Sequence, residues 1–322
     1  MADFPKISPV PITAYTSVCG SGKGNSAFYN ALLSKKTALD SLTLFQIPFS
    51  TPVAEVSDQL PEVRPELEEY NSRNARLALA ALNDTDGHFR ETIEIAKSRY
   101  GNGRIGVVIG TSTSGLYETE TAYEELLKDG KMPDDFHFLT RHAYQATPRF
   151  LQLELGLNGP CFAVSTACSS SAKSIAAGQR LIANDVCDAV LTGGVDTLCR
   201  LTLRGFNSLE LISERNCRPM DRQREGINIG EAVGLLFLEK PAGHTSDCPR
   251  VLSVGESSDA HHMSSPHPEG LGAVLAMNNA LRLASIKPSA VDYLNLHATA
   301  TRINDRIEAK AIFQVFGDSV PC

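Results

Sequence analysis

The chain has 322 residues, 42% of them hydrophobic, enough for one large core or two related halves. Thirty basic residues stand against 37 acidic ones, a net charge of −7, which leaves no global basic field for nucleic acid. No apolar run is long enough to cross a membrane, and the 8 cysteines show no CxxC pair and no metal-ligand spacing with histidine. Met1-Ala2-Asp3-Phe4-Pro5 lacks the charged and apolar regions of a secretory leader. The expectation is a protein of the reducing cytoplasm whose thiols are mostly small core residues.

Residues 11–18 read as a first strand and 26–33 as a short helix; 45–68 is proline-rich and irregular. Residues 74–82 are rich in alanine and leucine, a strong helix by propensity. The continuous apolar run at 104–110 predicts a strand buried on both faces. A small polar loop, 111–115, leads into an amphipathic helix at 117–128, and 147–155 is helical. Then comes an apolar strand, Cys161-Phe162-Ala163-Val164, followed by Ser165-Thr166-Ala167-Cys168-Ser169-Ser170 and a small-residue helix over 171–183. Strands follow at 188–194 and 231–239. A second series places strands at 251–255 and 291–297, helices at 272–284 and 304–316, and the start of a strand at 319–321. The alternation predicts an α/β fold with mostly parallel pairing.

Cys168 is the most informative residue. A thiol where a buried strand turns into a helix faces the positive end of the helix dipole and several backbone N–H groups. Both favour thiolate, the form that attacks thioesters. His297 ends an apolar strand, where open α/β sheets bind ligands. Thr299 and Thr301 beside it offer hydroxyls to a polar ligand. Cys19-Gly20-Ser21-Gly22-Lys23-Gly24 imitates a phosphate loop, but Ser17 and Gly24 occupy positions that need Gly and Ser/Thr, so it reads as a flexible loop. His261 and His262 are adjacent with no obvious third ligand, and their segment reads as a loop, with no metal. His137 and His142 read as residues of a surface helix or loop. The glycines at 226, 230 and 234 around Glu231 read as a buried hydrogen-bonded turn. The arginines at 200, 204, 215, 218, 222 and 224 form either a solvated charged face or a surface for an acidic partner.

Together these stretches resemble the β-ketoacyl-[acyl-carrier-protein] synthases, the condensing enzymes of fatty-acid and polyketide synthesis. The resemblance rests on Val164–Ser171, Leu191–Asp196, Cys217–Asp221 with Arg224–Gly226, Gly230–Gly234, Asp259–His261, and Asn295–Thr301 with Asn304, Asp305 and Glu308, in family order. It implies a thiolase-like fold of two duplicated α/β halves in a layered αβαβα core, here a nucleophile-bearing half at 1–241 and an incomplete second half at 242–322. It implies a homodimer or a heterodimer with a related synthase subunit, acyl carrier protein as partner, and no cofactor or metal. Substrates would ride on the phosphopantetheine of the carrier. Cys168 would accept the acyl group, with its backbone N–H in the oxyanion hole; His297 would donate to the enolate oxygen; Thr299 and Thr301 would hold the pantetheine arm.

Two departures stand out. The family follows its first histidine with glycine, and this chain has Ala298. A second histidine in a Lys-Ser-x-Thr-Gly-His stretch and a Phe-Gly-Phe-Gly-Gly segment would fall beyond Cys322, which reads as a truncated synthase. Three functions therefore compete: a decarboxylating condensing enzyme, a non-catalytic partner akin to a chain-length factor, and a cysteine acyltransferase or thioesterase.

Overall fold

A computed structural model describes residues 8–84, 86, 88–241, 248–262 and 265–322. Met1-Ala2-Asp3-Phe4-Pro5 and residue 242, the expected first residue of the second half, lie outside them. The described residues form two compact units: Val10–Gly205 with Ile229–Arg250, and Phe206–Asn228 with Val251–Cys322.

The larger unit is built on a mixed sheet. Six of its seven strands, β1 (Val10–Cys19), β2 (Gly22–Lys23), β3 (Ile105–Gly110), β4 (Cys161–Val164), β5 (Ala189–Asp196) and β6 (Ala232–Glu239), lie in the order β2-β1-β6-β5-β3-β4, and the short seventh, Arg250–Val251, pairs with β1. Among these six strands, β5, β3 and β4 pair in parallel. β6 runs antiparallel to both β5 and β1, so the expectation of mostly parallel pairing is corrected: the excursion between β5 and β6 returns the chain in the opposite direction. Every residue of β3 is buried, as a strand covered on both faces requires.

One face is covered by α2 (Arg73–Leu82), α3 (Phe89–Tyr100) and α5 (Ala146–Glu154), which pack Leu77, Ile93, Phe150 and Leu151 against Ile109, Leu191, Leu235 and Phe237. The Ser72 hydroxyl caps α2 by accepting the Ala75 N–H at 3.1 Å. On the other face α6 (Ser170–Ala183) lies against β3 and β5. The hydroxyl of Ser174 donates to the Gly193 carbonyl at 2.6 Å and ties helix to sheet.

The Glu231 carboxylate is buried and hydrogen-bonded, as expected for its turn, but Gly230 and Gly234 on either side of it are exposed. Glu231 is 1% exposed and accepts from the backbone N–H groups of Val56 and Leu198 and from the Arg73 guanidinium. Such a carboxylate is tolerated only when its acceptor sites are filled. The glycine-rich stretch after β1 is not a flexible loop. Val18 pairs with Lys23 and Cys19 with Gly22, so Gly20-Ser21 is the two-residue turn of a hairpin. Helix α1 (Asn25–Ser34) follows it directly.

In the second unit, α8 (Leu271–Ala284) packs on α9 (Arg302–Phe316). The Asp259 carboxylate accepts the Gly272 N–H at 2.8 Å in the first turn of α8. The expected strands at 291–297 and 319–321 form no ladder among the described residues. Leu294 N–H donates to the Pro321 carbonyl at 2.9 Å, which sets the two segments side by side without making a sheet. The strand expected at 251–255 stops at Arg250–Val251.

Candidate active site

Cys168 sits on an exposed elbow between β4 and α6. The turn is stitched by its own hydroxyls. The Thr166 carbonyl accepts from the Ser169 N–H (3.3 Å) and Oγ (2.8 Å). The Ala167 carbonyl accepts from the Ser170 N–H (3.0 Å) and Oγ (2.6 Å), and Ser170 Oγ accepts the Thr166 N–H at 2.9 Å. Ala167 adopts φ 52°, a left-handed conformation uncommon for a residue with a side chain and concentrated at functional turns.

Two glycines let the helix start come this close. A methyl on Gly110, at the end of β3, would lie 2.4 Å from the Ser170 carbonyl carbon. One on Gly194, in β5, would lie 1.8 Å from Ser171 Oγ. The loops at the carboxyl ends of β3 and β5 are locked as well. Asp196 accepts from Thr111 Oγ1 (3.1 Å), the Ser112 N–H (2.7 Å) and the Thr113 N–H and Oγ1 (both 2.9 Å). The Cys168 elbow therefore stands at the carboxyl edge of the three parallel strands, the edge where α/β sheets bind ligands. Sequence reading placed Asp196 in a motif without a role; its signal was the acidic residue ending a strand opposite a Thr-Ser-Thr loop.

Cys187 and Cys199 are buried and Cys161 half-buried. Burial pushes Cys161 up to about 11 and raises Cys187 and Cys199, which keeps all three protonated. Cys168 is exposed and lies two residues before the first residue of the 14-residue α6, with Ser169 between.

His297, Thr299 and Thr301 belong to the second unit. Glu308, in the second turn of α9 (Arg302–Phe316), holds the segment: its carboxylate accepts the His297 N–H (2.6 Å) and the Ala298 N–H (2.9 Å). Ala298 has φ 49° and Ala300 φ 59°. The position where the family has glycine thus does adopt the conformation that favours glycine. The hydroxyls of Thr299 and Thr301 lie 2.9 Å apart, and both side chains are half-buried. Thr301 is also the residue before α9, where its carbonyl accepts from Arg224 Nε at 3.2 Å. Arg224 further pairs with the buried Asp305 at 3.5 Å. In the arginine-rich window, Arg200 meets Glu120 and Glu124, and Arg215 meets Glu225, so these serve the protein's own structure. No cluster of three or more potential metal ligands occurs among the described residues. His261 instead packs edge-on to His267, and His142 accepts or shares a proton with Thr119 Oγ1 at 2.8 Å in a short π-helical turn.

The fold has solved counterparts. A chain of the complex of a ketosynthase with its chain length factor from Xenorhabdus doucetiae is 38% identical, with a TM-score of 0.90, over 100% of this chain and 79% of that one. A chain of the ishigamide ketosynthase/chain length factor, 24% identical with a TM-score of 0.86, shares the fold over 98% of this chain. These likenesses define the class: a thiolase-like ketosynthase fold. Models of the beta-ketoacyl synthase N-terminal and C-terminal domains match residues 8–243 and 250–322, and the chain belongs to that family of acyltransferases. The 3-oxoacyl-[acyl-carrier-protein] synthase 2 of Coxiella burnetii is 30% identical across 96% of this chain and 77% of its own length. The enzyme of the same name from Vibrio cholerae is 33% identical over 67% of this chain, which spans 55% of that relative. Condensing enzymes of this family bring no cofactor of their own; their acyl groups travel on carrier-protein phosphopantetheine. Among the described residues no helix is long and apolar enough to cross a membrane.

Proposed function

We propose that the chain carries the acyl-accepting half of a decarboxylating Claisen condensation, giving 3-oxoacyl-acyl carrier protein from an acyl thioester and malonyl-acyl carrier protein. The observation that supports this most is the exposed Cys168 on a turn held by Ser169, Ser170, Gly110 and Gly194.

In the proposed sequence, the Cys168 thiolate attacks the thioester carbonyl, the C–S bond to pantetheine breaks, and the carrier leaves as a thiol after taking a proton. The positive end of α6 favours both the thiolate and the oxyanion that forms beside it. Malonyl-carrier protein then loses CO₂: its C–C bond to the carboxylate breaks and the electron pair becomes an enolate. The enolate carbon attacks the acyl-enzyme carbonyl, and Cys168 leaves as thiolate. His297 is assigned the enolate oxygen, with Glu308 fixing its backbone, and Thr299 and Thr301 the pantetheine arm. The halves are assigned as 1–241 and 242–322, with acyl carrier protein and a second synthase chain, identical or related, as partners.

A second reading, a chain-length-factor role, is favoured by the similarity to a ketosynthase–chain length factor complex. The retained nucleophile supports the first. Incubation with acyl-carrier protein and malonyl-carrier protein separates them. A product two carbons longer, with CO₂ released and both lost in Cys168→Ala, supports condensation. A folded chain that takes no acyl group, yet binds a full-length synthase, supports the second reading.

A further inference from the structure

The start of α6 carries more positive charge than its surroundings balance. Its cap, Ser169, makes no side-chain hydrogen bond to the helix; the hydroxyl turns back to the Thr166 carbonyl at 2.8 Å. The positive end of the helix dipole therefore meets no capping oxygen from it. Lys173, the fourth residue of α6, adds a full positive charge at the end of a helix where cations are unfavourable. No carboxylate on the helix answers it. Its neighbours one turn away are Ser169, Ser170, Ala176 and Ala177, and α6 contains no Asp or Glu. Among the described residues the Lys173 side chain makes no ion pair and no hydrogen bond, and the residue is half-buried.

Helical side chains lean toward the N-terminus and cover the turn before their own Cα. For Lys173 that turn is Ser169-Ser170, and the next residue back is Cys168. Cys168 is also the one ionisable side chain of the elbow, residues 165–170. The strands packed on α6 bring few titratable groups: Cys161 in β4, Asp196 ending β5 and Glu239 ending β6. Burial keeps Cys161 protonated. Asp196 is taken up by Thr111, Ser112 and Thr113. Glu239 pairs with Ala189 at the start of β5, the end of the sheet remote from the elbow, where Arg99 meets it at 3.4 Å. Arg180, the other cation of α6, lies about two turns further along the helix.

We propose that the Lys173 ammonium is the countercharge of the Cys168 thiolate. An ammonium near a thiol favours the anion, and at a partly exposed site the attraction weakens as salt is added. Lys173 forms and breaks no bond; it is a positioning residue that acts through the thiol by raising the share of Cys168 ready to attack. The uncapped helix end and the unanswered lysine then serve one purpose, since the thiolate is the anion this elbow can make. The inference rests on the reading of Cys168 as the acyl acceptor, but its test uses alkylation, which needs no acyl transfer.

The test is the pH profile of Cys168 alkylation by iodoacetamide, a neutral reagent, mapped by mass to the peptide containing Cys168. It compares the wild-type chain with Lys173→Met, Lys173→Gln and Lys173→Arg, with folding checked by circular dichroism. Loss of the charge is expected to raise the midpoint by roughly half to one pH unit in the Met and Gln variants. Alkylation below the wild-type midpoint then slows about three- to tenfold, and above both midpoints the rates converge. Lys173→Arg keeps the charge and should keep the wild-type midpoint. In the wild-type chain itself, added salt should raise the midpoint as it screens the pair. A neutral variant with the wild-type midpoint, an arginine variant that moves as far as methionine, or a wild-type midpoint indifferent to salt overturns the countercharge. So does a slowing of equal size at every pH, which marks a change of shape rather than of charge. Single-turnover acylation by acyl-carrier protein in the same samples reports on the reading beneath. A moved alkylation midpoint without acyl transfer would remove the acyl-acceptor role and leave the Lys173 effect standing.

Discussion

Ala298 concentrates the energetic question at the scale of one residue. Its φ of 49° lies in the left-handed region, where a Cβ crowds the backbone and glycine is free of that clash. Glu308 holds the conformation by accepting both the His297 and Ala298 N–H groups, so the strain is fixed in place rather than relaxed. Ala298→Gly should therefore stabilise the protein by about 1 kcal/mol, less the extra freedom glycine gives the unfolded chain. A higher urea midpoint with unchanged slope would show it; a lower midpoint would contradict the strain argument. The departure from the family's glycine was legible in the sequence. The sign of φ was not, because it depends on where the Glu308 carboxylate sits.

At the scale of elements, the decisive contact is between the start of α6 and the end of β3. The position of Gly110 leaves 2.4 Å between an added methyl and the Ser170 carbonyl carbon, and backbone at that distance must move. Gly110→Ala is expected to destabilise the fold by about 1–3 kcal/mol and to slow acylation of Cys168, because the elbow shifts with its helix. Urea unfolding and a single-turnover acylation assay measure the two effects; unchanged values in both would show that the elbow is not held this way. The elements that carry this geometry were readable because each has a one-dimensional signal. An unbroken apolar run marked β3, and alanine-rich propensity marked α2, Arg73–Leu82. What sequence could not supply was pairing. The Cys19–Gly24 stretch has loop composition, yet becomes a hairpin because Val18 and Cys19 find Lys23 and Gly22. Residues 291–297 have strand composition, yet form no ladder among the described residues, since a strand is defined by a partner. The holding role of Glu308 was not legible for the same reason: its backbone donor at His297 lies 11 residues back in the chain.

At the scale of the whole molecule, the sheet of the larger unit is clamped at the end remote from Cys168. Asp188, at the start of β5, accepts from Arg104 Nε at 2.8 Å before β3 and from Lys240 Nζ at 2.7 Å after β6. The Arg104 hydrogen bond, with Lys240 second, holds the Asp188 carboxyl at about 2, below its ordinary 3.8. A depressed carboxylate contributes stability that is present above its unfolded value and lost as pH falls through its folded value. Asp188→Asn should thus lower stability at neutral pH, and the gap to wild type should close as pH falls from 3.8 toward 2. Unfolding midpoints across that range test it; a gap that persists at pH 2 would mean the clamp is not electrostatic. An elbow at one edge of the sheet and a charged clamp at the other leave Cys168 on a rigid base.

The central claim is that this base presents Cys168 as an acyl acceptor. Intact mass of the folded chain after incubation with acyl-acyl carrier protein tests it most directly. The account predicts a gain of one acyl group, mapped to the peptide containing Cys168 and absent from Cys168→Ala. No adduct on a folded sample, or an adduct that survives in Cys168→Ala, would contradict it.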